Sequence, residues 1–227
     1  YGRSILRHYC SFGIDCEGKM AVTIKSEREI QLMREAGIIL AKTHEELEKA
    51  LHAGMTTYQV NKLGDEIIRS FGCVPSFLNY NGYPASICVS VNEEVVHGIP
   101  SKKRILKDGD VVSLDAGVIW KGYHSDAART HIIGEGSDKA KELVKVTREC
   151  FYEGIKYAIA GNHLNDICKA IGSYAKERGY GVVRDLVGHG IGTHLHEDPE
   201  VPNFDMKRGG IKLQPGMTLA IEPMITA

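Results

Sequence analysis

From Ile30 onward, apolar residues recur at steps of three and four: Ile30, Met33, Gly37, Leu40, His44, Leu47 and Leu51 fall on one stripe. That period predicts an amphipathic helix with one buried face. Ser26-Glu-Arg-Glu29 supplies a capping box at its start, and Gly54 stops it. Thr56-Thr-Tyr-Gln59 repeats the device and predicts a second helix running to Gly72. The pattern then turns strand-like around 87–91, 111–119 and 123–133. Ser137 starts a long helix through Ala158, Gly161 breaks it, and a further helix is predicted from about Leu164 to Gly179. The remaining tail is punctuated by glycines and extended, ending in 217–226.

The order helix, helix, strands occurs twice. At an offset of 107 residues, Ala53-Gly54 falls on Ala160-Gly161, Val60 on Ile167, Lys62 on Lys169 and Gly72 on Gly179. Leu106-Lys-Asp-Gly109 falls on Leu213-Gln-Pro-Gly216, and Leu114-Asp115 on Ile221-Glu222, with no gap. Glycines, helix ends and an acid coincide together. The chain therefore reads as α+β, with two similar halves facing each other across a pseudo-twofold axis and a site at their seam.

Composition narrows the class. The chain has 227 residues, 43% of them apolar, enough for one sizeable core or two fused halves. Lysine plus arginine (28) nearly balances aspartate plus glutamate (29), and no basic run is present, which argues against nucleic acid as a partner. No apolar stretch reaches the ~20 residues of a membrane helix. The cysteines, Cys10, Cys16, Cys73, Cys88, Cys150 and Cys168, match no zinc spacing and read as free thiols in a reducing cytoplasm. Residues 1–19 show no clear period and read as a leader or upstream segment, with the domain spanning 20–227. A knuckle of His8, Cys10 and Cys16 has the wrong spacing and too few ligands.

The candidate chemistry lies in the acids. Asp115 sits in the apolar run Val-Val-Ser-Leu-Asp-Ala-Gly and Asp126 in Tyr-His-Ser-Asp-Ala-Ala. If Lys121-Gly122 is a two-residue hairpin turn, Trp120 faces Tyr123, Gly117 faces Asp126 and Asp115 faces Ala128. The two acids then project to one side as diagonal neighbours, about 7–8 Å apart at the backbone. Asp126 alone reads as well as a solvated turn residue. Asp115 does not, because an unpaired buried acid is costly, and together they call for a cation. The repeat adds Glu222 opposite Asp115. His189 lies in Gly188-His-Gly-Ile-Gly192, where glycines let the backbone crowd a ligand, and His194 and His196 follow on one face if the segment is extended. Carboxylates with one imidazole suit Mn, Fe, Co or Zn ions, and a carboxylate-bridged pair activates water and polarises a carbonyl. That chemistry is hydrolysis.

These residues resemble type I methionine aminopeptidase over nearly all of residues 20–227. The matching motifs are Asn81-Gly-Tyr-Pro84 with Ser86-Ile-Cys88, Val95-Val-His-Gly-Ile-Pro100, Asp115 with Asp126, Gly188-His-Gly-Ile-Gly192 with His196-Glu197, and Pro215-Gly-Met-Thr218 with Ile221-Glu-Pro-Met224. The resemblance implies the pita-bread fold, a central antiparallel sheet with outer helices. It implies two divalent ions (Co, Mn, Fe or Zn) on Asp115, Asp126, His189 and Glu222, with Asp126 bridging. His97 and His196 are then expected to contact substrate and stabilise the tetrahedral intermediate, and Glu222 to handle protons. Phe77, Tyr80, Tyr83, Cys88 and Leu195 match the pocket for the methionine side chain, where aromatic and sulfur groups suit a thioether. Ordinary core is the plainer reading of Phe77 and Tyr80. The implied substrate is a nascent polypeptide beginning with methionine and a small second residue, met by a monomeric cytoplasmic enzyme, with the ribosome as a further candidate partner.

The family's fifth ligand is a bridging glutamate on a last strand, which the offset places at 233 or later, beyond Ala227. Nothing in Pro-Met-Ile-Thr-Ala replaces it. The expectation is therefore a chain that ends short of its final hairpin, leaves 217–226 as an exposed edge and lacks full activity as it stands. Two other readings share the same residues: a peptidase cleaving before proline, against which the Tyr83-Pro84 to Cys88 stretch argues, and a non-catalytic binding module of the same fold.

Overall fold

A computed structural model describes residues 22–227. The expected separate segment 1–19, and the knuckle within it, lie outside the described residues. The first half comprises α1 (Glu27–Ala50), α2 (Thr57–Ser70), β1 (Val74–Pro75), β2 (Ile87–Val91), β3 (Val111–Trp120) and β4 (Tyr123–Ile132). The second comprises α3 (Asp138–Ile155), α4 (Leu164–Glu177), β5 (Gly181–Val182), β6 (Gly188–Gly190), β7 (Glu197–Val201), β8 (Leu219–Ala220) and β9 (Ile225–Thr226). No helix among these residues is long and apolar enough to cross a membrane.

Both predicted capping boxes form. Ser26 Oγ accepts from Glu29 N while Glu29 accepts from Ser26 N, and Thr56 and Gln59 do the same. The helices end sooner than the glycines suggested, α1 at Ala50, α2 at Ser70 and α3 at Ile155, because their last turns give way to loop before the glycine is reached. The buried stripe of α1 centres on Ala36, Leu40, Thr43, His44 and Leu47, so small and polar residues share it with the leucines.

β3 is the central strand of an all-antiparallel sheet. β1 and β2 pair end to end along one edge, and β4 along the other. The hairpin register is the expected one: Trp120 pairs Tyr123, Gly117 pairs Asp126 and Asp115 pairs Ala128. Lys121 and Gly122 both carry positive φ (50° and 86°), the conformation of a tight primed turn whose twist matches its strands. α1 and α2 cover one face and bury Leu40, Leu47, Ile68, Ile87, Leu114 and their neighbours. Full burial of each such side chain is worth roughly 1.5–3 kcal/mol. A second core, with Val146, Cys150, Ile167, Ile171 and Ala175, sits between α3, α4 and the second sheet region.

The repeat holds down to single hydrogen bonds. Val74 pairs Ile119, and Gly181 pairs Thr226. The bridge Thr56–Ile105 returns as His163–Lys212. Gly54 N donates to Leu106 O, and Gly161 N to Leu213 O. All of these keep the offset of 107. The ungapped alignment fails in one stretch. Val91 pairs Val112 while Gly190 pairs Leu219. Leu219 is 107 after Val112, but Gly190 is only 99 after Val91. The second half thus reaches its inner strand eight residues early and recovers them in the following loop. The extra residues of the first half lie in the 76–86 loop, which carries Phe77, Tyr80 and Tyr83. Among the described residues β4 has no counterpart, and β8 and β9 each pair on one edge only.

Candidate metal centre

The acids of β3 and β4 meet the second half at the seam. Oxygen or nitrogen atoms of Asp126, His189 and Glu222 all lie within 4.8 Å of one another. His189 Nε2 is 3.1 Å from Glu222 Oε1 and 3.6 Å from Asp126 Oδ2. Asp115 lies on β3 beside Asp126 of β4, close enough for the two carboxyls to act on each other. His189 Nδ1–H donates to Gly190 O at 2.8 Å, which leaves Nε2 aimed at the acids.

The electrostatics ask for a cation. Burial first, then the charges of Asp126 and Glu222, push the Asp115 carboxyl well above the ordinary range. Burial likewise raises Asp126, with His189 opposing it. Burial would lower His189, but the carboxylates of Asp126 and Glu222 beside it prevail and hold it protonated up to about 10. Glu222 Oε1 is buried and has no hydrogen-bond donor besides the His189 imidazole beside it. No lysine or arginine among the described residues forms an ion pair with these acids. Protons on Asp115 and His189 therefore stand where positive charge is needed, and an oxygen-rich set with one imidazole fits a divalent ion there.

Around this cluster the structure gathers Phe77, Cys88 and Leu195 with Tyr80 and Tyr83, and adds Ile191 and Met33. Cys88 is the direct cross-strand partner of Asp115, so the apolar cluster abuts the acids. Phe77 and Tyr80 belong to this seam cluster and not to either half's core. His196 Nδ1 hydrogen-bonds Tyr80 Oη at 2.8 Å, stacks on that ring, and has its ring centroid 4.1 Å from that of His189. His97 sits at φ 58° on the loop after β2, close enough to feel the charges of Asp126 and Glu222. Gly98 behind it packs on the β2 backbone, with its carbonyl accepting from Tyr83 Oη at 3.0 Å.

One sequence expectation changes. Residues 192–196 bend instead of extending, so His194 and His196 do not share a face: His194 points out beside Glu197. The bend is held by His194 N donating to Glu197 Oε1 at 3.1 Å. The glycines of 188–192 also serve close packing within the chain. A Cβ on Gly188 would strike Ala220 O, one on Gly190 would strike Asp198 O, and one on Gly192 would strike the Lys25 and Glu197 side chains. His124 was also not foreseen. It lines a cavity of about 240 Å³ with Met33, Asp126 and Ile191, and its Nδ1 lies 3.0 Å from Ser76 Oγ. Its place two residues before Asp126, on the same strand face, was the available signal. A larger groove of about 480 Å³ along α3, from Lys141 to Tyr152, contains none of these residues.

Residues 31–227 match metallopeptidase family M24. The chain is 52% identical to the methionine aminopeptidase of Clostridium acetobutylicum over 90% of its length and 82% of that protein's. It is 48% identical to methionine aminopeptidase 1 of Bacillus subtilis over 91% and 83%. Among solved structures, the methionine aminopeptidase of Thermotoga maritima superposes with a TM-score of 0.88 at 44% identity, covering 90% of this chain and 82% of that one. The Xaa-Pro dipeptidase of Bacillus anthracis gives 0.76 at 31% identity, covering 88% and 54%. These neighbours share the pita-bread architecture, which the duplicated halves reproduce. Membership of a metallopeptidase family implies a divalent ion, and the cluster at the seam is suited to one. The chain belongs to metallopeptidase family M24.

Proposed function

We propose that this protein removes the N-terminal methionine from polypeptides whose second residue is small, with two divalent ions held by Asp115, Asp126, His189 and Glu222. The observation that carries the reading is the pairing of Cys88 with Asp115, which sets an aromatic and sulfur-bearing apolar cluster directly against the acids. A thioether fits such surroundings. Asp126 lies between Asp115 and the pair His189–Glu222, which supports the reading that it would serve both ions. When bound, the ions supply Lewis-acid activation of water and of the scissile carbonyl. Co, Mn, Fe and Zn all suit this donor set.

The chain's own groups do the rest. Tyr80 holds Nδ1 of His196, so Nε2–H is free to donate to the substrate carbonyl oxygen as it becomes an oxyanion. His97, kept neutral by burial against the pull of Glu222 and Asp126, presents a second imidazole from the opposite loop. Glu222 Oε1, buried with only the His189 imidazole beside it, would take and return a proton. The apolar cluster bounds the site beyond the acids, so on this reading only a terminal residue enters. The same reading has the substrates as nascent chains and the work done in the cytoplasm, to which the free Cys73, Cys88, Cys150 and Cys168 are suited.

The test compares Met-Ala-Ser with Xaa-Pro peptides at equal concentration, using metal-reconstituted full-length protein. Release of methionine with little cleavage before proline is the expected result. Preferential cleavage before proline would move the reading to the prolidase branch.

A further inference from the structure

Outside the acid cluster, one buried ion pair is used by nothing described so far. Lys25 and Glu197 meet at 2.5 Å, with side-chain exposures of 5% and 8%. They come from opposite ends of the fold. Lys25 lies just before α1, and its N–H donates to Gly216 O in the second half at 2.8 Å. Glu197 opens β7 and directly follows His196. Its carboxylate is held three ways, by Lys25 Nζ and Thr23 Oγ1 on one oxygen and His194 N on the other, and a Cβ on Gly192 would strike it. Lys25 Nζ also contacts Thr23 Oγ1. Gly192 in turn accepts from His124 N at 2.8 Å and donates to His194 O at 3.0 Å. The bend that turns His196 toward Tyr80 and His189 is therefore tied, residue by residue, to this carboxylate.

A buried ion pair contributes little net stability compared with apolar residues of the same size. Its maintenance here needs another benefit, and the adjacent residue supplies one. The geometry points to Lys25 and Glu197 as positioning residues that hold His196 in its substrate-facing orientation by locking the 192–197 bend. The inference rests on the reading of His196 as the oxyanion-side imidazole.

The test uses steady-state kinetics on Met-Ala-Ser with metal content and Tm measured in parallel. Lys25→Met and Glu197→Gln are expected to lower kcat about 10- to 100-fold, the range seen when outer-shell partners of a site are lost, with KM and metal content little changed. Each also leaves one buried charge unpaired and lowers Tm. The decisive variant is the double replacement Lys25→Met/Glu197→Leu, which restores an apolar interior. Tm is expected to recover while kcat stays low, because the bond to His194 N is still missing. Recovery of kcat together with Tm would show a purely structural pair and overturn the inference. A second arm removes the imidazole: in a His196→Ala background, Glu197→Gln is expected to have no further effect on kcat, and a full additional loss would overturn the inference. No methionine release from the wild type removes the functional reading and the inference with it, whereas release with unchanged kcat in both single variants removes the inference alone.

Discussion

His189 Nε2 stands 3.1 Å from Glu222 Oε1, although β6 and the segment after β8 are separated by a long loop. The contact closes the acid cluster from the side of the second half, and Asp126 closes it from the first. The first half alone holds two acids that repel, and the second adds one acid beside an imidazole. Together they hold a pocket for cations.

Ligand variants should therefore behave oppositely with and without metal. Asp115→Asn replaces an acid that without metal must stay protonated in the native state yet ionises in the unfolded chain, so in the chelated protein Tm is expected to rise, by about 2–4 °C for each kcal/mol relieved. In the metal-loaded protein the same variant should lower Tm, and Asp115→Ala and His189→Ala should reduce methionine release to background. Differential scanning calorimetry with and without chelator checks the sign, and a near-normal rate in either alanine variant would refute the ligand assignment.

Metal removal from the wild type is expected to lower Tm. At free metal a hundredfold above Kd, binding to the native state alone contributes about 2.7 kcal/mol, on the order of 5–10 °C for a chain of this size. An unchanged melting curve on chelation would mean that no ion is bound under those conditions.

Acid stability should depend on His44. Its Nε2–H donates to Ala127 O at 2.8 Å, its Nδ1 is buried without a partner, and Arg129 and His131 face it from β4. Burial above all, with those two positive neighbours, lowers its pKa from 6.5 to about 4, the hydrogen bond opposing. The unfolded chain takes up a proton near 6.5 while the native state does not. Stability is thus complete above pH 6.5 and is lost as pH falls toward 4, by about 1.4 kcal/mol per pH unit. Urea denaturation at pH 7.5 and 5 should show the loss, and His44→Gln should flatten it.

Gly98→Ala tests the loop that presents His97. The new Cβ would overlap Val89 O and Ser90 Cα, both backbone atoms of a buried strand that has no room to yield. The expected cost is about 1–3 kcal/mol, with His97 displaced and kcat reduced. Equal Tm and equal kcat would mean that the loop's close approach to β2 has no bearing on the site.

Much of this was legible in the residues, for reasons that differ from place to place. The two-residue turn Lys121-Gly122 leaves the hairpin one register, and with it the relation of Asp115 to Asp126. The repeat was legible because the glycines and helix caps that bound α2 and α4 recur at constant spacing. Its compensating gap was hidden, since eight residues absent before β6 return after it and the flanking alignment is undisturbed. The 192–197 bend was illegible because a side chain 172 positions away helps to hold it. His124 and Ile191 were missed for a similar reason: their role depends on which half they face, and only the packed seam shows that.

Native mass spectrometry of the full-length protein titrated with Co or Mn tests the central claim most directly. The account predicts two ions per chain in the wild type, and loss of ions in Asp126→Ala and His189→Ala with the fold retained by circular dichroism. No bound ion in the wild type, or occupancy unchanged in both variants, would contradict it.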